Sequence, residues 1–252
     1  MTMQPLLEVD AVTKRFGRVV VADGLSFGVH QSETLGIVGP NGAGKTSLFG
    51  MIAGDLRVDS GDVRLSGTSL TSLSTARRVR RGVVRTHQVP RPFTGMTVFE
   101  NVLVAAQQGG GQRGQSAVDR AIGVIEETGL GDHANVVSGR LGLLSRKRLE
   151  VARALACDPR LLLLDEVAGG LTDPEVDELV SIVRGVNARG VTVLWIEHVV
   201  RALVSTVDRL VCLALGSLLA DGRPSEVLAR PEVKRIFLGT DPAVDEAPGD
   251  TP

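Results

Sequence analysis

The sequence predicts an α/β fold: a buried, mainly parallel sheet core that presents a phosphate loop, preceded by an N-terminal antiparallel β subdomain and interrupted by an inserted helical lobe. Three observations carry that expectation. Leu35 to Val38 form a short apolar run, Gly39 to Thr46 read Gly-Pro-Asn-Gly-Ala-Gly-Lys-Thr, and Thr46 to Phe49 read as the first turn of a helix. Leu161 to Leu164 form a second buried strand that ends in Asp165-Glu166, which puts carboxylates at the strand's C-terminal end, where doubly wound sheets bind ligands. Between these two landmarks the pattern turns helical.

The elements follow in order. Leu7 to Val9, Val19 to Val21 and Leu25 to Val29 alternate with turn residues and predict the antiparallel strands. A helix runs from the glycine loop to about Gly54, Val63 to Gly67 resumes the β pattern, and Gly82 to Thr86 is a shorter strand leading into His87-Gln88. Arg77-Arg78-Val79-Arg80-Arg81 is expected to be a solvated helix face. The lobe spans about 89 to 157. Thr97 and Glu100 have the spacing of a capping box, 109 to 114 is a glycine and glutamine linker, 117 to 128 is a helix stopped by Gly129, and about 145 to 156 is another. Past the acidic pair come a helix over Pro174 to Ala188, a buried strand over Val191 to Ile196 ending at Glu197-His198, a hairpin around Leu213 to Asp221, and a helix from about Ser225. Residues 1 to 240 are thus expected to be a single domain, and 241 to 252 a disordered acidic tail with too little apolar surface to offset the entropy of ordering it.

Composition narrows the function. The chain has 252 residues with 28 Lys and Arg against 29 Asp and Glu, a net charge of −1, and no broad basic footprint, so nucleic acid is not an expected partner. Cys157 and Cys212 both have apolar neighbours and no second thiol nearby, which predicts buried, reduced cysteines in a cytosolic compartment. The start has no basic-then-apolar signal pattern, and no apolar run reaches the roughly 18 residues needed to span a bilayer. Any membrane role must come through a partner.

The glycine loop fits G-x-x-x-x-G-K-[ST] at every position, which makes a nucleoside triphosphate the first ligand to consider and the core a P-loop NTPase sheet. Gly39, Pro40, Asn41, Gly42, Ala43, Gly44, Lys45, Thr46 and Ser47 are the candidate phosphate binders. Glycines let backbone N–H groups approach the phosphates, the helix N-terminus adds partial positive charge, and Lys45 adds a full one. The Thr46 hydroxyl is then placed for Mg²⁺, Asp165 to hold the same ion directly or through water, and Glu166 to orient or deprotonate the attacking water.

In their order, these landmarks resemble the nucleotide-binding subunit of ABC transporters over residues 7 to 239, which implies ATP and Mg²⁺ as cofactors. The resemblance assigns Phe16 to stack on adenine, Gln88 to the hinge that touches Mg²⁺ or the water and senses the membrane subunit, and His198 to a hydrogen bond with the γ-phosphate. Met96 to Val102, Arg148 to Arg153, Ile196-Glu197-His198 and Phe237-Leu238-Gly239 are most similar to the ATPase pair of branched-chain amino acid importers. Urea and amide importers and a lipopolysaccharide export ATPase carry similar stretches, and a regulatory or translation-associated ABC protein is a further alternative. The implied partners are transmembrane permease subunits and an extracytoplasmic substrate-binding protein. The implied location is the cytoplasmic face of the membrane, held there peripherally by the permease.

One stretch departs from the family. Its Leu-Ser-Gly-Gly-Gln signature falls on Leu141-Gly142-Leu143-Leu144-Ser145, where only the leading leucine matches. In the family this segment closes over ATP held by the facing subunit through a serine hydroxyl and glycine N–H groups. Gly142 lacks the hydroxyl, and a hydrogen bond to a charged group is worth about 1.5 to 3 kcal/mol. Leu144 adds bulk where backbone must come close. The expectation is a heterodimer with a paralogous ATPase whose signature is intact. Val167 and Thr172 stand where the family usually has proline and often aspartate.

Overall fold

The computed structural model describes residues 4–238; the tail expected over 241–252 and Gly239 lie outside the described residues. The chain opens with β1 (Leu7–Phe16) and β2 (Val19–Val29), paired antiparallel with Leu7 opposite Val29 and Phe16 opposite Val19. Two strands were expected between Val19 and Val29, but β2 is continuous. Register shifts along the pair absorb the turn-like Ala22-Asp23-Gly24 as a bulge. Next come β3 (Thr34–Val38), α1 (Lys45–Ala53), β4 (Ser60–Leu65) and β5 (Thr68–Ser69). β4 ends two residues before Gly67, because Ser66 and Gly67 both take positive φ and form the two-residue turn that pairs Leu65 with Thr68.

The helix α2 (Thr75–Val79) and strand β6 (Val83–Arg85) precede the lobe, which consists of α3 (Val98–Gln108), α4 (Gly114–Glu127) and α5 (Leu143–Ala156) packed on one another. The capping box at α3 forms as expected: Glu100 N–H donates to Thr97 Oγ1 (3.1 Å) and Thr97 N–H to Glu100 Oε2 (2.8 Å). The remaining elements are β7 (Leu161–Asp165), α6 (Asp173–Ala188), β8 (Thr192–Ile196), α7 (Val200–Val204), β9 (Arg209–Ala214), β10 (Ser217–Gly222), α8 (Pro224–Ala229) and α9 (Pro231–Leu238). The single helix expected from Ser225 is two, since Arg230 is extended ahead of Pro231.

Two sheets result. One is antiparallel in the order β2-β1-β4-β5; the other runs β10-β9-β3-β8-β7-β6, parallel except for β10. In the parallel sheet the chain leaves β3 toward β6 and later crosses to β9 on the other side, so the loop after β3 sits at the topological switch point, where such sheets bind ligands. Every residue of β3, β7 and β8 is buried because both faces are covered. Leu161, Leu163, Leu194 and Ile196 pack with Phe49 and Ile52 of α1 and with the antiparallel sheet. Leu162, Leu164, Val193 and Trp195 pack with Val102, Leu149 and Leu179 of the helices opposite. No helix among the described residues is long and apolar enough to cross a membrane.

Two expectations are corrected. The arginine run is not wholly a solvated face: Arg78 is buried and donates to the carbonyls of Met51 (2.6 Å), Ile52 (2.9 Å) and Leu73 (3.1 Å). It thus satisfies the last carbonyls of α1, where a cation also complements the helix dipole. Of the cysteines, Cys212 is buried but Cys157 only half-buried, at the end of α5; burial still pushes its thiol up to about 11. The linker touches it, as a Cβ on Gly109 would collide with Cys157 Sγ.

Replacing Arg78 by methionine keeps the stem but strands those carbonyls in the interior. Urea unfolding should show a loss of about 3 kcal/mol, whereas Arg81→Met, on the exposed part of the same run, should change stability by less than about 0.5 kcal/mol.

Candidate functional site

The loop between β3 and α1 is wedged between neighbouring strands. Gly44, the N-cap of α1, has φ 97°, and a Cβ there would collide with the carbonyl of Val21 in β2; Gly39, with φ 151°, is pressed in the same way against the carbonyl of Leu213 in β9. Only glycine fits either place. Lys45 folds back so that Nζ donates to the carbonyls of Gly39 (2.7 Å) and Pro40 (3.0 Å). Burial pulls its pKa below the ordinary lysine range, while the charges of Glu166 and Asp165 oppose that. Asn41 to Ser47, together with Val19, Val21 and Glu166, line a cleft of about 270 Å³.

The parallel register brings Asp165-Glu166 to the C-terminal end of the sheet, where Glu166 lines that cleft and Asp165 is buried behind it. Arg85 of β6 lies opposite Leu163, and Asp165 of β7 opposite Ile196 of β8, so β7 and β8 finish level and β6 two residues short of them. Glu166 follows with φ 49°, a left-handed conformation that costs a residue bearing a Cβ about 1 to 3 kcal/mol. Its N–H donates to Ile196 O (2.9 Å). Its carboxylate accepts from the Gln88 side-chain amide at Oε2, and His198 Nε2 lies 2.7 Å from Oε1. The structure therefore brings Gln88, Glu166 and His198 into one hydrogen-bonded cluster, and Glu166 also faces the phosphate loop. Phe16 lies outside it: the ring at the end of β1 is 51% exposed, sits 5.3 Å below Lys14 Nζ, and is not among the residues lining the cleft.

Asp165 is completely buried and accepts from Arg85 Nη2 at 2.6 Å. Arg85 reaches Asp55 as well (3.3 Å). The other carboxylate oxygen, Asp165 Oδ1, is buried with no hydrogen-bond partner among the described residues. A buried, charged, unpartnered oxygen is the kind of donor a hard cation takes, and the Thr46 hydroxyl and the Gln88 amide oxygen are donors of the same hard type, the chemistry that suits Mg²⁺. The residues present therefore fit that ion.

Some participants were not expected. Lys147 of α5 is buried, and its Nζ donates to the carbonyls of Gln88 and Glu166, 3.1 Å each. Burial lowers its pKa, opposed by Glu197, Glu166, Asp165 and Glu150. Glu197 is buried and accepts from the N–H groups of Ala168 (2.6 Å) and His198 (3.2 Å), which fixes the loop after Glu166; burial raises its pKa. Arg85 and Lys147 stand in stretches whose periodicity gives them no distinct signal, and only the fold shows what they face. Thr172 has a local role as N-cap of α6, its N–H donating to Glu175 Oε2 (2.7 Å). The stretch 141–145 lies at the start of α5, with Leu141 buried, Gly142 as an exposed N-cap and Leu143 47% exposed.

A glycine loop at the switch point of a parallel sheet, facing a strand that ends in two carboxylates and joined to a separate helical lobe, defines an ATP-binding cassette. The chain belongs to the ABC transporter family, whose model matches residues 22–169, and it is an ATP-hydrolysing subunit. It is 37% identical to the high-affinity branched-chain amino acid transport ATP-binding protein LivG of Salmonella typhimurium over 94% of this chain and 98% of that one. It is 35% identical to BraF of Pseudomonas aeruginosa, a protein of the same description, with the same coverage. Among solved structures, the ADP conformation of an ATP-binding cassette from an ABC transporter superposes with a TM-score of 0.85 at 28% identity, covering 94% of this chain and all of that one.

Arg85→Met should strand the buried Asp165 charge and cost about 3 to 5 kcal/mol in urea unfolding. In the double variant Arg85→Met with Asp165→Leu, most of that loss should return, the coupling measured by a double-mutant cycle.

Proposed function

We propose that the chain is the ATP-hydrolysing motor of an importer for branched-chain or other amino acids, working as one half of an asymmetric pair of ATPase subunits. The observation that carries it is the joint placement of the phosphate loop, Asp165 and the Gln88–Glu166–His198 cluster at one sheet edge, with relatives named for amino acid transport. ATP binds with its phosphates in the loop; Lys45 leaves the carbonyls of Gly39 and Pro40 for the phosphate oxygens, and Phe16 stacks on adenine. Thr46, Asp165 Oδ1 and Gln88 would hold Mg²⁺, which when bound neutralises charge on the β- and γ-phosphates. Glu166 orients a water and takes its proton as the water oxygen bonds to the γ-phosphorus and the bond to the ADP oxygen breaks. His198 donates to the γ-phosphate.

The asymmetry rests on α5. Its first turn carries no capping side chain, Gly142 offers no hydroxyl, and Leu143 and Leu144 occupy the face where the family brings backbone against a neighbour's nucleotide. This chain's own loop and carboxylates are complete, so the ATP it holds is hydrolysed once a paralogous subunit supplies an intact lid. Transmembrane permease subunits then hold the pair on the cytoplasmic side of the membrane, with an extracytoplasmic binding protein delivering the solute. Exposed Val89, Phe93 and Met96, beside the hinge, suit an apolar contact with the permease.

Lys45→Ala should weaken ATP binding more than ten-fold in a fluorescent-nucleotide titration. Mixed with the ATPase subunit encoded beside its gene, Glu166→Gln should bind ATP and accumulate as a dimer on size-exclusion chromatography; a mixture that never dimerises with ATP would contradict the motor reading. Purified alone, the chain should hydrolyse ATP at least ten-fold more slowly than with the ATPase subunit encoded beside its gene. Equal turnover in both preparations would remove the asymmetric pair.

A further inference from the structure

Lys147 has no part in the chemistry above, yet it is 5% exposed and stands where the lobe meets the core. No carboxylate lies within ion-pair distance of its ammonium among the described residues; its two hydrogen bonds go to peptide carbonyls, those of Gln88 and Glu166, at 3.1 Å each. A cation shared by two peptide oxygens fixes backbone rather than neutralising a partner. One of these peptides is strained, Glu166 at φ 49°. The other belongs to the hinge residue whose amide binds the Glu166 carboxylate.

We propose that Lys147 is a positioning residue that ties α5 to the hydrolytic groups of this chain's own site, and through them transmits the engagement of the 142–145 face with the opposite nucleotide. The inference rests on the ATPase roles given to Glu166 and Gln88. α5 is a continuous helix of 14 residues, so its first turn and Lys147, four positions beyond Leu143, move together. Displacing the helix pulls on both carbonyls at once. Because the Glu166 carboxylate holds both the Gln88 amide and the His198 ring, the whole cluster shifts with its peptide. Misplacement of a reacting group by even an ångström slows chemistry strongly while leaving binding of the phosphates to the loop intact.

Lys147→Met keeps the stem and removes the donors, and Lys147→Arg keeps donors at the same place. With the chain purified together with the subunits encoded beside its gene, three quantities decide the role: affinity for trinitrophenyl-ATP, single-turnover ATP hydrolysis, and amide hydrogen exchange over Gln88 and Glu166 to Gly169. For Lys147→Met the expected result is hydrolysis slower by about ten-fold or more, nucleotide affinity within about two-fold of wild type, and faster exchange at both segments, with Lys147→Arg recovering most of the rate. Unchanged hydrolysis and exchange would overturn the inference, as would a parallel fall in affinity, hydrolysis and melting temperature that arginine does not rescue. A wild-type assembly that binds ATP without hydrolysing it would instead overturn the motor reading, and exchange at the two segments would still decide whether Lys147 holds them.

Discussion

The parallel pairing of β6, β7 and β8 is the constraint from which the site follows. With Asp165 opposite Ile196, β7 and β8 stop at one level, while β6 ends two residues earlier with Arg85 opposite Leu163, and the residues that follow all emerge at the C-terminal end of the sheet beside the loop after β3. Hydrophobic burial sets that register. Leu161 and Leu163 face α1 and the antiparallel sheet while Leu162 and Leu164 face the lobe side, and a slip of one residue would exchange the two faces. It would also swap Asp165, buried against Arg85, with Glu166, which faces the cleft. Packing of apolar side chains thereby determines which carboxylate is buried against Arg85 and which faces the cleft.

Cations on carbonyl oxygens recur through the molecule. Arg78 closes the end of α1, Lys45 bridges the carbonyls of its own loop, and Lys147 joins the hinge to the peptide after β7. These contacts differ in permanence. Arg78 makes three short bonds within the core and has no competing ligand, so it belongs to the fold. Lys45 holds the carbonyls of Gly39 and Pro40 at the cleft that the proposed nucleotide would enter. Lys147 lies where lobe and core meet, and its two acceptors, Gln88 and Glu166, come from segments far apart in the chain.

Much of this was legible in the sequence because it was local. The loop motif, the leucine run ending in acids, the Thr97 and Glu100 pair and the stop at Gly129 each depend on neighbours a few residues apart, and each lies in the element expected of it. Errors arose where a distant partner decided. Gly24 reads as a turn, but pairing with β1 turns it into a bulge in a longer strand. Arg78 reads as solvated among three other arginines and a valine, but the end of α1 lies over it. Arg85 and Lys147 carry no distinguishing pattern, since their acceptors lie on strands and loops far along the chain. Phe16 is assigned through resemblance alone, and its ring at the exposed end of β1 lies 5.3 Å from Lys14 Nζ.

The central claim is that the glycine loop and the acidic pair surround one magnesium-bearing triphosphate. Isothermal titration calorimetry with ATP, in magnesium and again in excess EDTA, tests it most directly. The account predicts one site per chain with heat that is strong with MgATP, weaker without the ion, and insensitive to the ion once Asp165 is replaced by asparagine. No heat with MgATP, or an undiminished magnesium effect in that variant, would contradict it.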